Sequence, residues 1–187
     1  MKLRDDLNYG RCGLKDITRA ASLAHLGLLG SPESLEIDCD LQGRDAAQVL
    51  SIIPSEKLAA LVSSVTWCVY IRNASAGLSC LVLQSLKCDE VFIDDQSLGT
   101  EETQALVCAM ETCVKEVILR GRHVTLDTEA LLQYSGQGRC SLLQWYAYGH
   151  TEKELRSRTM NKIKEGIEGM KVKVTFDIES EKISLKW

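Results

Sequence analysis

Few side chains in this sequence could do chemistry, and their spacing decides which chemistry is open to them. Ser135-Gly136-Gln137-Gly138-Arg139 has the glycine content of a phosphate-cradling loop. It lacks the Gly-Lys-Ser/Thr ending and lies between a helical segment and a strand-like run, whereas a phosphate loop leads into a helix. A glycine C-cap and turn is the expected role. His25, His123 and His150 have no partner at metal-ligand spacing. His25, within Leu23-Ala24-His25-Leu26, is expected on a helix face. Asp94-Asp95 follows a strand-like run and could bind a cation, but strand-end acids are more often solvated or bonded to the adjoining turn. Cys140 with His150 would suggest a thiol nucleophile, yet nothing orients the pair. Arg156-Ser157-Arg158-Thr159 has the look of a kinase substrate, and a charged helix face is the default reading. No catalytic residue, metal site or cofactor is expected.

Cys12, Cys39, Cys68, Cys80, Cys88, Cys108, Cys113 and Cys140 make eight cysteines without a single C-x-x-C pair. That argues against a zinc ribbon or a dithiol redox motif. Several lie in apolar runs, as in Ala105-Leu106-Val107-Cys108, so small buried free thiols in a reducing compartment are expected. Asn73-Ala74-Ser75 is a glycosylation acceptor pattern, without meaning in the cytosol. The 187 residues suit one domain or two very small ones, with 45% hydrophobic and 26% charged residues. A formal charge of −4 and a pI near 5.5 disfavour a general nucleic-acid binder or an anionic-membrane binder. No apolar run reaches the ~18 residues of a membrane span. Met1-Lys2-Leu3-Arg4-Asp5-Asp6 is not followed by the apolar region of a secretory signal. A cytoplasmic location is the expectation.

These residues sit on a repeat. Short β-rich runs recur, ending in polar residues and followed by helix-like segments: Ser34-Leu35-Glu36-Ile37-Asp38-Cys39, Trp67-Cys68-Val69-Tyr70-Ile71, Glu90-Val91-Phe92-Ile93-Asp94, Glu116-Val117-Ile118-Leu119-Arg120 and Ser141-Leu142-Leu143-Gln144-Trp145-Tyr146, with a sixth at Val172-Lys173-Val174-Thr175-Phe176. Val91 and Val117 are 26 apart, as are Val117 and Leu143, while Val69 precedes Val91 by 22. Periods in this range mark stacked strand–helix units. The outer spacings, 34 from Leu35 to Val69 and 29 from Leu143 to Val172, fit terminal capping units. Between the runs, Ala105, Leu106, Ala109, Met110 and Cys113 recur at helical spacing behind a capping Thr100. Pro54 opens a second helix, and Asp127 caps a third. A first helix is predicted over residues 14–29, stopped by Gly30-Ser31-Pro32. Thr151-Glu152-Lys153-Glu154 is a capping box for a long polar helix to about residue 169. In the tail, Val172, Val174, Phe176 and Ile178 alternate, then Ile183, Leu185 and Trp187, which predicts a β-hairpin at the sheet edge.

Leu35-Glu36-Ile37-Asp38-Cys39-Asp40-Leu41 and Val91-Phe92-Ile93-Asp94-Asp95-Gln96-Ser97-Leu98 resemble the L-x-L-x-x-N/C-x-L core of leucine-rich repeats. A helix-like segment follows each, as in the ribonuclease-inhibitor-like class found in cytosolic immune receptors that carry a nucleotide-binding domain. The resemblance covers about residues 32–150. It implies an α/β solenoid of strand–helix repeats with a mainly parallel sheet. The whole chain, 1–187, then reads as one domain: a helical cap over 1–31, repeats over 32–150, and a C-terminal helix and β-hairpin cap over 151–187. It also implies a non-enzymatic protein-recognition module, such as the sensor or regulatory part of a larger cytosolic receptor in innate immunity. The sequence departs from the family where an asparagine ladder belongs, with Asp40, Ala74, Gln96 and Arg122 there, and Val or Ile often replaces leucine. No nucleotide-binding domain lies within the chain, so receptor activity itself does not carry over.

If Val69, Ile71, Val91, Ile93, Val117 and Leu119 point at the helices, their neighbours point away. Those neighbours are Tyr70, Arg72, Phe92, Asp94, Ile118 and Arg120. Two aromatics, an isoleucine and three charges on one sheet face resemble a protein-binding surface. A doubly wound sheet, covered on both faces, accounts for Phe92 and Ile118 equally well. It would place an enzymatic or small-ligand site at the C-terminal strand ends, near Asp40, Asn73, Asp94, Asp95 and Arg120. A third possibility is a homo-oligomer formed through the apolar strand face.

Overall fold

The computed structural model describes residues 14–38, 53–121, 124–134, 136–146, 173–177 and 182–187. Helix α1 (Leu14–His25) leads to strand β1 (Ser34–Asp38). Then come α2 (Ser55–Ser64), β2 (Cys68–Arg72), α3 (Ala76–Ser85), β3 (Glu90–Asp94), α4 (Thr100–Thr112) and β4 (Glu116–Arg120). The short α5 (Thr128–Leu131), β5 (Leu142–Tyr146), β6 (Lys173–Asp177) and β7 (Lys182–Lys186) complete the described elements.

The sheet runs β1-β2-β3-β4-β5-β7-β6, with β1 and β6 at its open edges. The first five strands are parallel neighbours in chain order, as their repeated spacing predicts. Along the five parallel strands, β1 to β5, the order never reverses, so the switch point of a doubly wound sheet is missing among them. The predicted hairpin forms: β6 and β7 are antiparallel, and β7 pairs antiparallel with β5.

Two apolar positions per strand, two residues apart, build the core. Leu35 and Ile37, Val69 and Ile71, Val91 and Ile93, Val117 and Leu119, and Leu143 and Trp145 are all buried. Each such side chain contributes about 1.5–3 kcal/mol by leaving water. They pack with Ala21, Leu58, Leu61, Leu78, Val82, Leu106, Met110 and Leu131 from the five described helices in one cluster. Successive helices touch, from α1–α2 through α4–α5, which makes them a single layer on one face of the sheet.

Two expected boundaries differ, each for a local reason. Helix α1 stops at His25, not residue 29, because Gly27 takes the left-handed conformation at φ +66°. The Gly27 N–H then donates to Ala24 O at 3.0 Å and the Leu28 N–H to Leu23 O at 2.8 Å, the paired closure of a Schellman motif. The cap of α4 is Gly99, not Thr100, and no side chain caps it. Thr100 Oγ1 instead bonds Asp127 Oδ2 at 2.6 Å, in the next unit. Asp127 also caps α5 as predicted, accepting from the N–H groups of Glu129 and Ala130. The capping box at Thr151 and its long helix lie outside the described residues, as do Asp40, Arg122, His123, His150, Cys12 and Cys39.

Polar rungs tie each loop to the next. Gln96, 6% exposed, accepts the Ala74 N–H at 3.1 Å and donates to Ser79 Oγ at 3.0 Å. Ser79 lies four residues past the cap of α3, and Thr103 four past the cap of α4. Thr103 Oγ1 in turn accepts the Asp127 N–H at 3.3 Å. Loop and helix of neighbouring units are thus joined by hydrogen bonds, buried at Gln96–Ser79 and part-buried at the other two, that satisfy groups the interior would otherwise penalise.

Candidate functional site

Because parallel strands pair one-to-one, the residues facing away from the helices form straight rows across the sheet. The middle row is Glu36, Tyr70, Phe92, Ile118 and Gln144. The row at the C-terminal strand ends is Asp38, Arg72, Asp94, Arg120 and Tyr146, continued by Lys182 on β7. The row at the N-terminal ends contains Cys68, Glu90, Glu116 and Leu142. All six predicted face residues, Tyr70, Arg72, Phe92, Asp94, Ile118 and Arg120, therefore lie together. All are half-buried except Asp94, which is buried.

The Tyr70 and Phe92 rings stack with centroids 4.3 Å apart and planes 15° apart. The Arg120 guanidinium stands 5.6 Å from the Phe92 centroid, within cation–π range. The same guanidinium grips Asp94 with two bonds, Nε to Oδ1 at 2.6 Å and Nη2 to Oδ2 at 2.9 Å. Arg72 lies between two carboxylates, 3.7 Å from Asp38 and 4.0 Å from Asp94, and its Nε has no hydrogen-bond partner. Charges thus alternate along the row as acid, base, acid, base. Lys182 extends it, 5.0 Å over the Tyr146 ring, while Tyr146 Oη bonds Gln144 Oε1 at 2.9 Å.

The residues that a ligand site at the strand ends would use have structural employment. Asn73 and Asp95 follow β2 and β3 in the left-handed region, at φ +49° and +48°, and Gly121 follows β4 at φ +127°. These three turn the chain out of the sheet. Asp94 is neutralised by Arg120 and Arg72, which leaves it a poor cation ligand. Among the described residues no group of His, Cys, Asp and Glu could hold a metal ion.

The remaining chemical candidates resolve individually. Gly136 and Gly138 form the turn between α5 and β5, packed by Trp187 and by α4, and lead into a strand. Gly136 is a turn glycine, since the C-cap of α5 is Leu132. His25 is exposed in the last turn of α1. Cys68, Cys80, Cys88, Cys108, Cys113 and Cys140 are free thiols. Burial pushes the Cys88 thiol up to about 12 and the Cys140 thiol up to about 11, so both stay protonated and unreactive near neutrality.

Three features of the face were not singled out in the sequence: Asp38 as the end of the charge row, the Tyr146–Lys182 contact, and the Glu90–Glu116 pair. The 26-residue spacing carries the signal for the last, since Glu90 and Glu116 stand one repeat apart. No helix among the described residues is long and apolar enough to cross a membrane. Comparison with family models, curated proteins and solved structures returns no significant match.

Proposed function

We propose that this chain is a leucine-rich-repeat-like solenoid that recognises a protein partner through the sheet face opposite its helices. The observation that carries the reading is the Tyr70–Phe92 stack, bordered by the Asp38–Arg72–Asp94–Arg120 row on a face that no described helix packs against. Rigid aromatics ringed by charges are what interface centres are made of. The solenoid reading draws support from the unreversed parallel strands, the single helix layer and Gln96. That side chain spans adjacent loops from a position where the family has a ladder asparagine. A cytosolic protein partner fits this reading, with no nucleic acid, membrane or cofactor involved.

The test is quantitative capture from a cytosolic extract by the wild-type chain, Phe92→Ala, and Gln104→Ala on the exposed side of α4. A protein retained by wild type and Gln104→Ala but lost with Phe92→Ala supports the face. Equal retention by all three refutes it.

A further inference from the structure

Glu90 and Glu116 are direct cross-strand partners on the same face as Tyr70 and Phe92. Strands in a sheet lie about 4.8 Å apart, so their side chains emerge as near neighbours. Like charges placed directly opposite each other destabilise a sheet. Among the described residues neither carboxylate is in an ion pair, although Arg72, Lys115 and Arg120 all pair with aspartates. Next to the pair, in the middle row, stand Phe92 and Ile118. Glu36 adds a third carboxylate beside Tyr70. The lysines of this face, Lys173, Lys182 and Lys186, lie beyond β5 on β6 and β7, with Lys186 in the same row as Glu116 across Leu142. The β1–β4 part of the face therefore carries more acid than base, next to half-buried aromatic and aliphatic side chains.

We infer that the partner surface is basic: an Arg or Lys seats its charge between Glu90 and Glu116 and lays its alkyl stem along Phe92 and Ile118. The inference rests on the protein-recognition reading and names the chemistry of the partner. A long basic side chain suits this spot because its methylenes cover apolar atoms while its head reaches the carboxylates. An arginine could also bridge both carboxylates through its planar fork. An acidic partner would meet Glu36, Glu90 and Glu116 as like charges, and Arg120 is already committed to Asp94. Burial raises the Glu116 carboxyl above its ordinary range, the Glu90 charge adds to this, and Lys182 offsets part of it. An incoming cation would offset the repulsion between Glu90 and Glu116.

The experiment is an amide chemical-shift titration of the full chain with three short peptides. They are acetyl-Gly-Arg-Phe-Arg-Gly-amide, the same peptide with citrulline for arginine, and the same with glutamate for arginine. The arginine peptide should move the amides of residues 90, 92, 116 and 118, and the citrulline peptide should do so far less. Glu90→Gln and Glu116→Gln should each weaken the arginine peptide by about two- to fivefold, the range for one partly exposed charge pair. Glu116→Lys should turn the preference towards the glutamate peptide. Thermal unfolding of each variant checks that the fold is kept. If arginine and citrulline peptides move the same face equally, the basic partner is overturned while recognition by this face stands. If no peptide moves those amides, the basic partner is overturned, and the capture experiment with Phe92→Ala judges the face by itself.

Discussion

Phe92 and Val91 are chain neighbours on opposite faces of β3, and replacing each by alanine separates recognition from folding. Val91 is fully buried in the core. Truncating it removes two methyl groups, about 1.6 kcal/mol at ~0.8 kcal/mol per buried carbon, and adds a cavity term, so about 2–3 kcal/mol is expected. Phe92 is only half-buried, stacked on Tyr70 at 4.3 Å and lying under Arg120. Its loss removes an aromatic pair worth about 0.5–1.5 kcal/mol and part of the ring's burial. The total should stay near 1–2 kcal/mol, below the roughly 3–5 kcal/mol of a core Phe→Ala. For a chain of this size 1 kcal/mol moves Tm by about 2–4 °C. Phe92→Ala should therefore lower Tm by a few degrees and Val91→Ala by more. Binding should invert the order, with Phe92→Ala costing the partner about 2 kcal/mol or more, as aromatic anchors do, and Val91→Ala almost nothing. Denaturant unfolding and partner titration of both variants measure the two quantities side by side. A Phe92→Ala loss of 3 kcal/mol or more would mean that a covered, core-like environment surrounds the ring, and the recognition face would have to be given up.

Other expectations follow from single contacts. Gly121→Ala should cost more than about 2 kcal/mol and drop Tm accordingly. Its φ is +127°, and an added Cβ would clash with the Asp95 carboxylate. Gln96→Ala should cost about 1–3 kcal/mol in denaturant unfolding, since it strips partners from the Ala74 N–H and the buried Ser79 hydroxyl. Glu116→Gln should stabilise by about 0.3–1 kcal/mol at neutral pH. Burial first and Glu90 second raise the folded-state pKa of Glu116 above its unfolded value. The wild-type chain therefore loses stability as pH rises through that interval, and the variant's advantage should vanish below about pH 4. A pH series of unfolding curves tests the sign. Under native conditions the exposed Cys108 should react with a thiol reagent well before Cys88 and Cys140, which should wait for unfolding. Peptide mapping after timed alkylation reads the order.

Much of the architecture was legible because its signal is periodic. Val, Ile and Leu at two positions per strand, repeated at 22 and 26 residues, specify which side chains turn inward and which strands are neighbours. The face then follows by subtraction, which is why Tyr70, Arg72, Phe92, Asp94, Ile118 and Arg120 could be grouped from sequence. Contacts that depend on register and rotamer were not legible. Nothing in the types of Asp94 and Arg120 says that they form a bidentate pair, or that Arg72 is left at 3.7–4.0 Å from its two acids. The α1 terminus differs because Gly30-Ser31-Pro32 reads as the stop, whereas the backbone bonds from Gly27 and Leu28 close the helix earlier. The role of Gln96 was hidden for a similar reason. Its side chain reaches a loop N–H and a helix hydroxyl at once, and neither partner is adjacent to it in the sequence.

The division of labour within a strand gives this fold its functional latitude. In β3, Val91 and Ile93 are completely buried and committed to the core, while Glu90 and Phe92 stay partly solvated. A change at Phe92 alters the surface without opening a cavity beneath it, and a change at Val91 does the opposite. The same alternation in β2 and β4 aligns Tyr70 and Ile118 with Phe92, so the outward row inherits its straightness from the register of the core. Asp94 is the exception, outward-facing yet 6% exposed, because Arg120 closes over it. It links the two functions: it fixes the guanidinium that covers the Phe92 ring. Asp94→Asn should therefore loosen Arg120 and weaken the partner while leaving the packing of Val91 and Ile93 intact. Removing one partner of a charge-assisted pair costs about 1.5–3 kcal/mol, less here because Arg120 remains 43% exposed and can turn to water. A variant that keeps full affinity would show that the aromatic stack, unaided by the guanidinium, sets the geometry of the face.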